Sequence, residues 1–294
     1  YGLGLVAMLA VAGCIHAGWK TVWLVPVVAA GWLMEIQLIK PIGVQVAAVQ
    51  AEMAPLQRYI ELTKQASYSA RLIVWPEYAV PRDMRATNDI SQMQQAADNA
   101  RSIIVFGTQT RLGGAKWQNT ALTVNRDGIL GEHGKNHTVH LFDDGERGTT
   151  QGVIETSVGK IGTPICFDCD FHDVARRMTL NGAEFFAVPS MDAASWGEKQ
   201  HLQHSQLFRV RAAENRRAFV VAASSGISQI ISPTGRTTAS LPPMQQGVVE
   251  GLIIPNKQLT HFTRWGWLTP WLALGALAAW SFYLGAARSL ISTR

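Results

Sequence analysis

Three residues of this 294-residue chain combine the types that thiol acyl transfer needs: Glu77, Lys135 and Cys166. A free cysteine, with a pKa near about 8.5, is only a few per cent thiolate at neutral pH. A carboxylate within reach can take its proton, and a lysine ammonium can stabilise the oxyanion that forms next. Glu77 follows the apolar run Leu72–Pro76, Cys166 follows Ile161–Ile165, and Lys135 lies in the polar stretch Gly134-Lys-Asn-His137. Buried strands of α/β sheets commonly display catalytic groups where they end. Spacing alone does not bring the three together. On position alone each has a plainer reading: Cys166 as a small buried hydrophobe, Glu77 as a solvated strand-end acid, Lys135 as a loop lysine.

Other residues carry weaker chemical signals. Cys166-Phe-Asp-Cys169 is a C-x-x-C, the spacing of a redox pair or half a zinc site. No second C-x-x-C supplies the remaining ligands of a tetrahedral site, so no metal is expected, and no cofactor. His133, His137 and His140 fall in a polar stretch and read as solvated or hydrogen-bonded histidines. Arg209, Arg211, Arg216 and Arg217 share one helix, with Arg211 and Glu214 as plausible buried partners.

Strands and helices alternate around these residues. Val44–Gln50, Leu72–Trp75, Ile103–Phe106, Thr120–Val124, Gly159–Ile165, Phe185–Pro189 and Phe219–Ser224 read as strands. Met53–Tyr68, Ser91–Arg101, Phe171–Asn181 and His201–Arg217 read as helices. Turns are marked at Arg126-Asp-Gly128 and Ser232-Pro-Thr-Gly235. Such alternation implies an α/β domain with buried sheets.

That domain is expected over 41–258, between apolar ends. Hydrophobic residues make up 47% of the chain and charged residues 16%, a small charged share for a soluble protein. No Asp, Glu, Lys or Arg occurs from Tyr1 to Trp19 or from Trp265 to Ala287. Each run is long enough to cross a bilayer core of roughly 30 Å. Residues 1–40 are therefore expected to hold transmembrane helices, the end of a longer membrane domain, and 265–288 a C-terminal one. Arg288 and Arg294 beyond the last run favour a cytoplasmic C-terminus and put the middle of the chain outside. Cys14 reads as a small membrane-buried residue, and three cysteines are too few for a disulfide framework. The net charge of +5 includes no Lys/Arg run, so no nucleic-acid partner is expected.

The local words around the three residues carry a resemblance. Val74-Trp-Pro-Glu77, Gly134-Lys-Asn-His137 and Pro164-Ile-Cys-Phe-Asp168 occur in the order of the Glu-Lys-Cys triad of the nitrilase (carbon–nitrogen hydrolase) superfamily. With apolar runs at both ends, the chain most resembles the apolipoprotein N-acyltransferase family. Asn119-Thr-Ala121, Ser190-Met-Asp-Ala193, Trp196-Gly197, Gln203-His204 and Arg211-Ala-Ala-Glu214 match as well. The resemblance implies a four-layer αββα sandwich flanked by transmembrane helices, in the bacterial inner membrane and facing the periplasm. It implies Glu77 as general base, Cys166 as nucleophile and Lys135 as stabiliser of the tetrahedral intermediate, helped by the Phe167 N–H; Trp196 is a secondary site candidate. It implies a membrane phospholipid as acyl donor and the N-terminal amine of a lipoprotein diacylglyceryl-cysteine as acceptor.

The match has departures. The family's second essential Glu follows the Lys, and here His137-Thr-Val-His-Leu-Phe-Asp-Asp-Gly-Glu146 is about three residues longer than the acyltransferase pattern. Glu146 is the expected counterpart; Asp143 keeps the spacing but not the residue type. His140-Leu-Phe-Asp143 and Asp168 look more like the soluble hydrolases, Tyr78 replaces a small Thr, and the family's eight spans compare with at most three here. A membrane-anchored amidase or nitrilase using water, including a divergent relative linked to conjugal transfer, and a non-catalytic assembly module are the rival readings.

Overall fold

The computed structural model describes residues 43–86, 89–140 and 142–292. The apolar N-terminal run, with Cys14 and Lys20, lies outside them. Among the described residues, those up to Thr263 form one compact unit and those from Arg264 onward belong to another.

Two six-stranded sheets make the larger unit. The first has β1 (Val44–Gln50), β2 (Leu72–Val74), β3 (Ile103–Gly113), β4 (Lys116–Asn125) and β5 (Gly128–Gly134) side by side, with β12 (Gly247–Ile253) on the outer edge of β1. In the second, β6 (Ile154–Thr156), β7 (Gly159–Gly162), β8 (Phe185–Ser190), β9 (Ala218–Ala223), β10 (Ser228–Ile231) and β11 (Thr237–Leu241) follow in order. Both sheets use one plan. Three central strands run parallel (β1–β2–β3 and β7–β8–β9) and antiparallel strands extend both sides.

Side chains alternate across a strand, and here both faces are buried. Val46, Ala48, Leu72, Val74 and Val105 meet Ile161, Phe185, Ala187, Val220 and Ala222 between the sheets. The other face of the first sheet, with Ala47, Val49, Ile73, Trp75 and Phe106, is covered by α1 (Leu56–Thr63) and α2 (Asp89–Ala100) through Tyr59, Leu62, Met93 and Ala97. Phe186, Val188, Phe219 and Val221 pack under α3 (Asp173–Leu180) and α4 (Glu198–Asn215) through Val174, Met178, Phe208 and Ala212. The layers are αββα, as expected. Burial on both faces explains why the central strands read as continuous apolar runs.

Boundaries differ where local chemistry overrides periodicity. α1 starts three residues later than expected because Pro55, with φ −57° and ψ 146°, stands extended at its N-cap. β7 stops at Gly162, before Pro164, which has no N–H to donate to a ladder. β3 runs on to Gly113 as the first arm of a hairpin with β4. β5 has no clear strand pattern in the sequence, and it places His133 in a sheet rather than a loop.

In the second unit, α5 (Thr269–Ser292) begins near the start of the expected C-terminal span, and Trp271, Leu272, Leu274, Leu277 and Phe282 are exposed on it. Among the described residues no helix is long and apolar enough to cross a membrane. The crossing helix at 265–288 stays an expectation from the sequence.

Candidate active site

Glu77, Lys135 and Cys166 stand beyond the ends of β2, β5 and β7, and none is more than 5% exposed. Glu77 is held by three donors. Lys135 Nζ at 2.7 Å and Asn119 Nδ2 at 2.6 Å reach Oε1, and the Met191 backbone N–H reaches Oε2 at 2.9 Å. The Cys166 thiol points to the carbonyl oxygen of Met191 at 3.9 Å. Acid and thiol thus meet the two sides of one backbone residue at the end of β8. Gly107 on β3 makes this packing possible, since a Cβ there would collide with the Glu77 and Tyr78 backbone.

Lys135 Nζ also lies 2.8 Å from Asp144 Oδ2. Burial alone would lower the lysine pKa, but Glu77, the Cys166 sulfur and Asp144 together raise it, so the ammonium is fixed. Burial opposes ionisation of Asp144, yet Lys135 outweighs it and holds the carboxyl below the ordinary range. Asn119 Nδ2 joins the two acids, donating to Asp144 Oδ1 at 2.7 Å as well as to Glu77, and Tyr78 donates its hydroxyl to Asp144. Burial, then Glu77 and Asp144, push the Tyr78 phenol far up, so it stays a donor.

Cys166 opens a single 3₁₀ turn, Cys166–Cys169, with φ +44°. A non-glycine residue in this left-handed region stores roughly 1–3 kcal/mol of strain, a cost found where surrounding contacts fix a functional group. The contacts here come from Asp168. Its Oδ1 accepts from the backbone N–H groups of Asn136 (2.9 Å) and His137 (2.7 Å), and its Oδ2 accepts from Ile165 N–H (3.0 Å). One side chain therefore ties the cysteine turn to the loop that carries Lys135. Burial and Glu77 raise the Cys166 pKa, opposed by Lys135 and His204. The resting group is a thiol.

The second cysteine belongs elsewhere. Cys169 packs with Val174, Met178 and Phe208 under the outer helices, while Cys166 belongs to the core between the sheets. Both are free thiols, so the C-x-x-C is not a disulfide.

The secondary candidates separate. Glu146 is half-exposed and pairs with Lys116 at 3.2 Å, so it does not reach Lys135; Asp144, two residues earlier, has that place. The extra length of the segment brings an aspartate in from a backbone position that counting from Lys135 does not select, and Asp143 instead faces Trp117 Nε1 at 3.4 Å. Phe167 is half-buried and packs edge-on against Phe171 at 5.2 Å. Trp196 is 36% exposed and sits 6.0 Å from the His201 ring and 5.9 Å from the His204 ring. Arg211 and Glu214 are a buried pair at 3.1 Å.

Asn119, Asp192 and His204 stand in the sequence only as parts of matching words, without roles. Cys166, Asp192 and His204 offer polar atoms that all lie within 4.8 Å of one another. His204 Nδ1 is 2.8 Å from Asp192 Oδ1. Burial lowers the His204 pKa, but Asp192, Asp170 and the sulfur together raise it well above the ordinary value. A surface cleft of about 960 Å³, lined by Arg71, Arg101, Arg126 and Ser157, shares no residue with this site.

The sequence model of the carbon-nitrogen hydrolases matches residues 45–258. The chain belongs to the carbon-nitrogen hydrolase family. Among curated relatives, it is 24% identical over 258 residues to an apolipoprotein N-acyltransferase of Vibrio cholerae, covering 78% of this chain and 51% of that protein. The apolipoprotein N-acyltransferase of Pseudomonas aeruginosa is 28% identical over 237 residues, covering 71% of this chain and 46% of the relative. The chain thus spans about half the length of these relatives. A Schizosaccharomyces pombe protein described as a probable nitrilase is 27% identical, over 70% of this chain and 83% of its own. Solved structures agree on the sandwich. Saccharomyces cerevisiae Nit3, of branch 10 of the nitrilase superfamily, aligns with a TM-score of 0.64 at 22% identity, covering 72% of this chain and 90% of its own. An amidase from Nesterenkonia aligns with a TM-score of 0.61 at 18% identity, covering 74% of this chain and 93% of its own. At such identities the likeness carries the fold alone.

Proposed function

We propose that this family member is a phospholipid:apolipoprotein N-acyltransferase of a bacterial inner membrane, its αββα domain facing the periplasm. The observation that carries the reading is the buried Glu77–Lys135–Cys166 cluster, in a chain whose curated relatives include acyltransferases of that name. The cycle uses the site as follows. The Cys166 thiol gives its proton to Glu77, on the Oε2 side shared with Met191, and the thiolate attacks the ester carbon of a phospholipid. Lys135 has three N–H donors. Among the described residues, Glu77 and Asp144 take two, which leaves the third for the oxyanion, with the Phe167 N–H as its companion. Collapse breaks the ester C–O bond. The departing lysophospholipid oxygen takes the proton from Glu77, and the acyl chain stays on sulfur as a thioester. The free α-amine of a diacylglyceryl-cysteine lipoprotein then attacks, Glu77 accepts its proton, and the amide leaves as Cys166 regains a proton.

A thioester suits this order, because it stores the acyl group while one lipid leaves and another enters. A second reading, with water as the final acceptor, draws on His140-Leu-Phe-Asp143 and Asp168, which are closer in type to soluble hydrolases. Incubation of the purified chain with phospholipid and a diacylglyceryl-cysteine lipopeptide, followed by mass spectrometry of the products, tests the choice. The proposal expects N-acylated lipopeptide and lysophospholipid in equal amounts. Free fatty acid without acylated lipopeptide, or ammonia from a simple amide, would contradict it.

A further inference from the structure

His204 has no part in the cycle above, yet it is built into the same site. It projects from α4, is only 7% exposed, and brings a ring nitrogen within 4.8 Å of the Cys166 sulfur. Its two nitrogens face two carboxylates. Nδ1 lies 2.8 Å from Asp192 Oδ1 and Nε2 lies 3.3 Å from Asp170 Oδ1. An ionised carboxylate only accepts hydrogen bonds, and a neutral imidazole has only one N–H to give. With a carboxylate facing each nitrogen at ion-pair distance, the ring's charged, doubly protonated form is the favoured one. Asp192 is itself fixed: Ser190 Oγ donates to its Oδ1 at 2.9 Å, and its backbone oxygen accepts from Ser225 N–H and Ser224 Oγ. Gly226 leaves the space, since a Cβ there would collide with Asp192 Oδ2.

We propose that His204 is a second cationic group of the reaction centre, an imidazolium that stabilises the Cys166 thiolate once its proton has passed to Glu77. The proposal rests on the reading of Cys166 as nucleophile. No bond to His204 forms or breaks: the proton moves from sulfur to the Glu77 carboxylate, and His204 keeps both of its own. The charges around the sulfur explain the need. Glu77 beyond β2 repels a thiolate, while Lys135 beyond β5 and His204 on α4 attract it. When Glu77 becomes neutral its repulsion disappears, while the attraction of Lys135 and His204 for the sulfur remains. The groups facing His204 itself are Asp192 beyond β8, Asp170 after the cysteine turn, and the sulfur. Trp196 covers the ring edge-on.

The test is the rate at which iodoacetamide, a small neutral probe, alkylates Cys166 as a function of pH. The full chain and His204→Gln are compared, with mass spectrometry to confirm the labelled residue and circular dichroism to confirm the fold. An opposite charge at this range shifts a thiol by a unit or more, so His204→Gln should react about tenfold or more slowly at neutral pH, with its inflection moved up by about a unit or more. A role confined to packing would leave the inflection unmoved. Equal rates and inflections in the two proteins would overturn the proposal while leaving the nucleophile reading intact. If Cys166 is not labelled in the unmodified folded chain, the nucleophile reading falls and the proposal with it. Should His204→Gln fail to fold, Asp170→Asn alters a partly exposed carboxylate on the same ring. It should move the inflection in the same direction by less, and no movement overturns the proposal.

Discussion

The Asp144 carboxylate lies 2.8 Å from the Lys135 ammonium, on a group that also bonds Glu77 at 2.7 Å. The lysine is fixed between two acids, so its third N–H has a defined direction. Asp144→Asn should therefore lower turnover by roughly a hundredfold, within the range of one lost oxyanion contact. Glu146→Gln, which alters a half-exposed partner of Lys116, should remain within about twofold of the parent, as expected of a surface pair. Steady-state kinetics of both variants decide it; the reverse order would restore Glu146 to the site.

The two cysteines should behave as differently as their surroundings. Cys166→Ala is expected to fold and to lose all turnover. Cys169→Ala should keep its activity and lose about 1 kcal/mol of stability, from one small buried group in the α3–α4 core. Activity assays with thermal melts check both. An inactive, well-folded Cys169→Ala would give the C-x-x-C a chemical role.

Much of this was legible in the sequence, and the reasons are particular. Glu77 and Cys166 each follow an apolar strand with a proline just past its end, so their place at a sheet end could be read from local words. The two-faced burial of β1, β2, β8 and β9 made them continuous apolar runs, and these gave the layers. Asp144 could not be read, because a loop fixes its residues by three-dimensional path; only the Tyr78 and Asn119 contacts show which of two adjacent aspartates turns inward. His204 and Asp192 were hidden similarly. They lie 38 and 26 residues beyond Cys166, on separate elements, and nothing in either sequence neighbourhood marks a charge pair. β5 escaped because Gly131 and Gly134 dilute its apolar pattern.

Asp168 should prove structural before it proves catalytic. Asp168→Ala removes the acceptor for the N–H groups of Ile165, Asn136 and His137. A buried donor left unpaired costs roughly 1–3 kcal/mol, so the variant should lose at least about 3 kcal/mol in denaturant unfolding. A loss below about 1 kcal/mol would mean that the cysteine turn and the lysine loop hold their places independently.

Asp144 also predicts a pH dependence of stability. Its folded pKa is below the unfolded value of 3.8, so its contribution is fully present above that value and is lost as pH falls through the folded one. Unfolding free energy measured from about pH 6 downward should fall less steeply below about pH 4 in Asp144→Asn than in the parent. Identical slopes would show that the Lys135 pair contributes nothing in that window.

The central claim is that an acyl chain rests on the Cys166 sulfur between two lipids. Intact-protein mass spectrometry after incubation with a phospholipid of one defined acyl chain tests it directly. The expected result is a mass increase of one acyl group, mapped to Cys166, absent in Cys166→Ala and discharged on adding a lipopeptide amine. Turnover without any covalent adduct, or an adduct that survives replacement of Cys166, would contradict it.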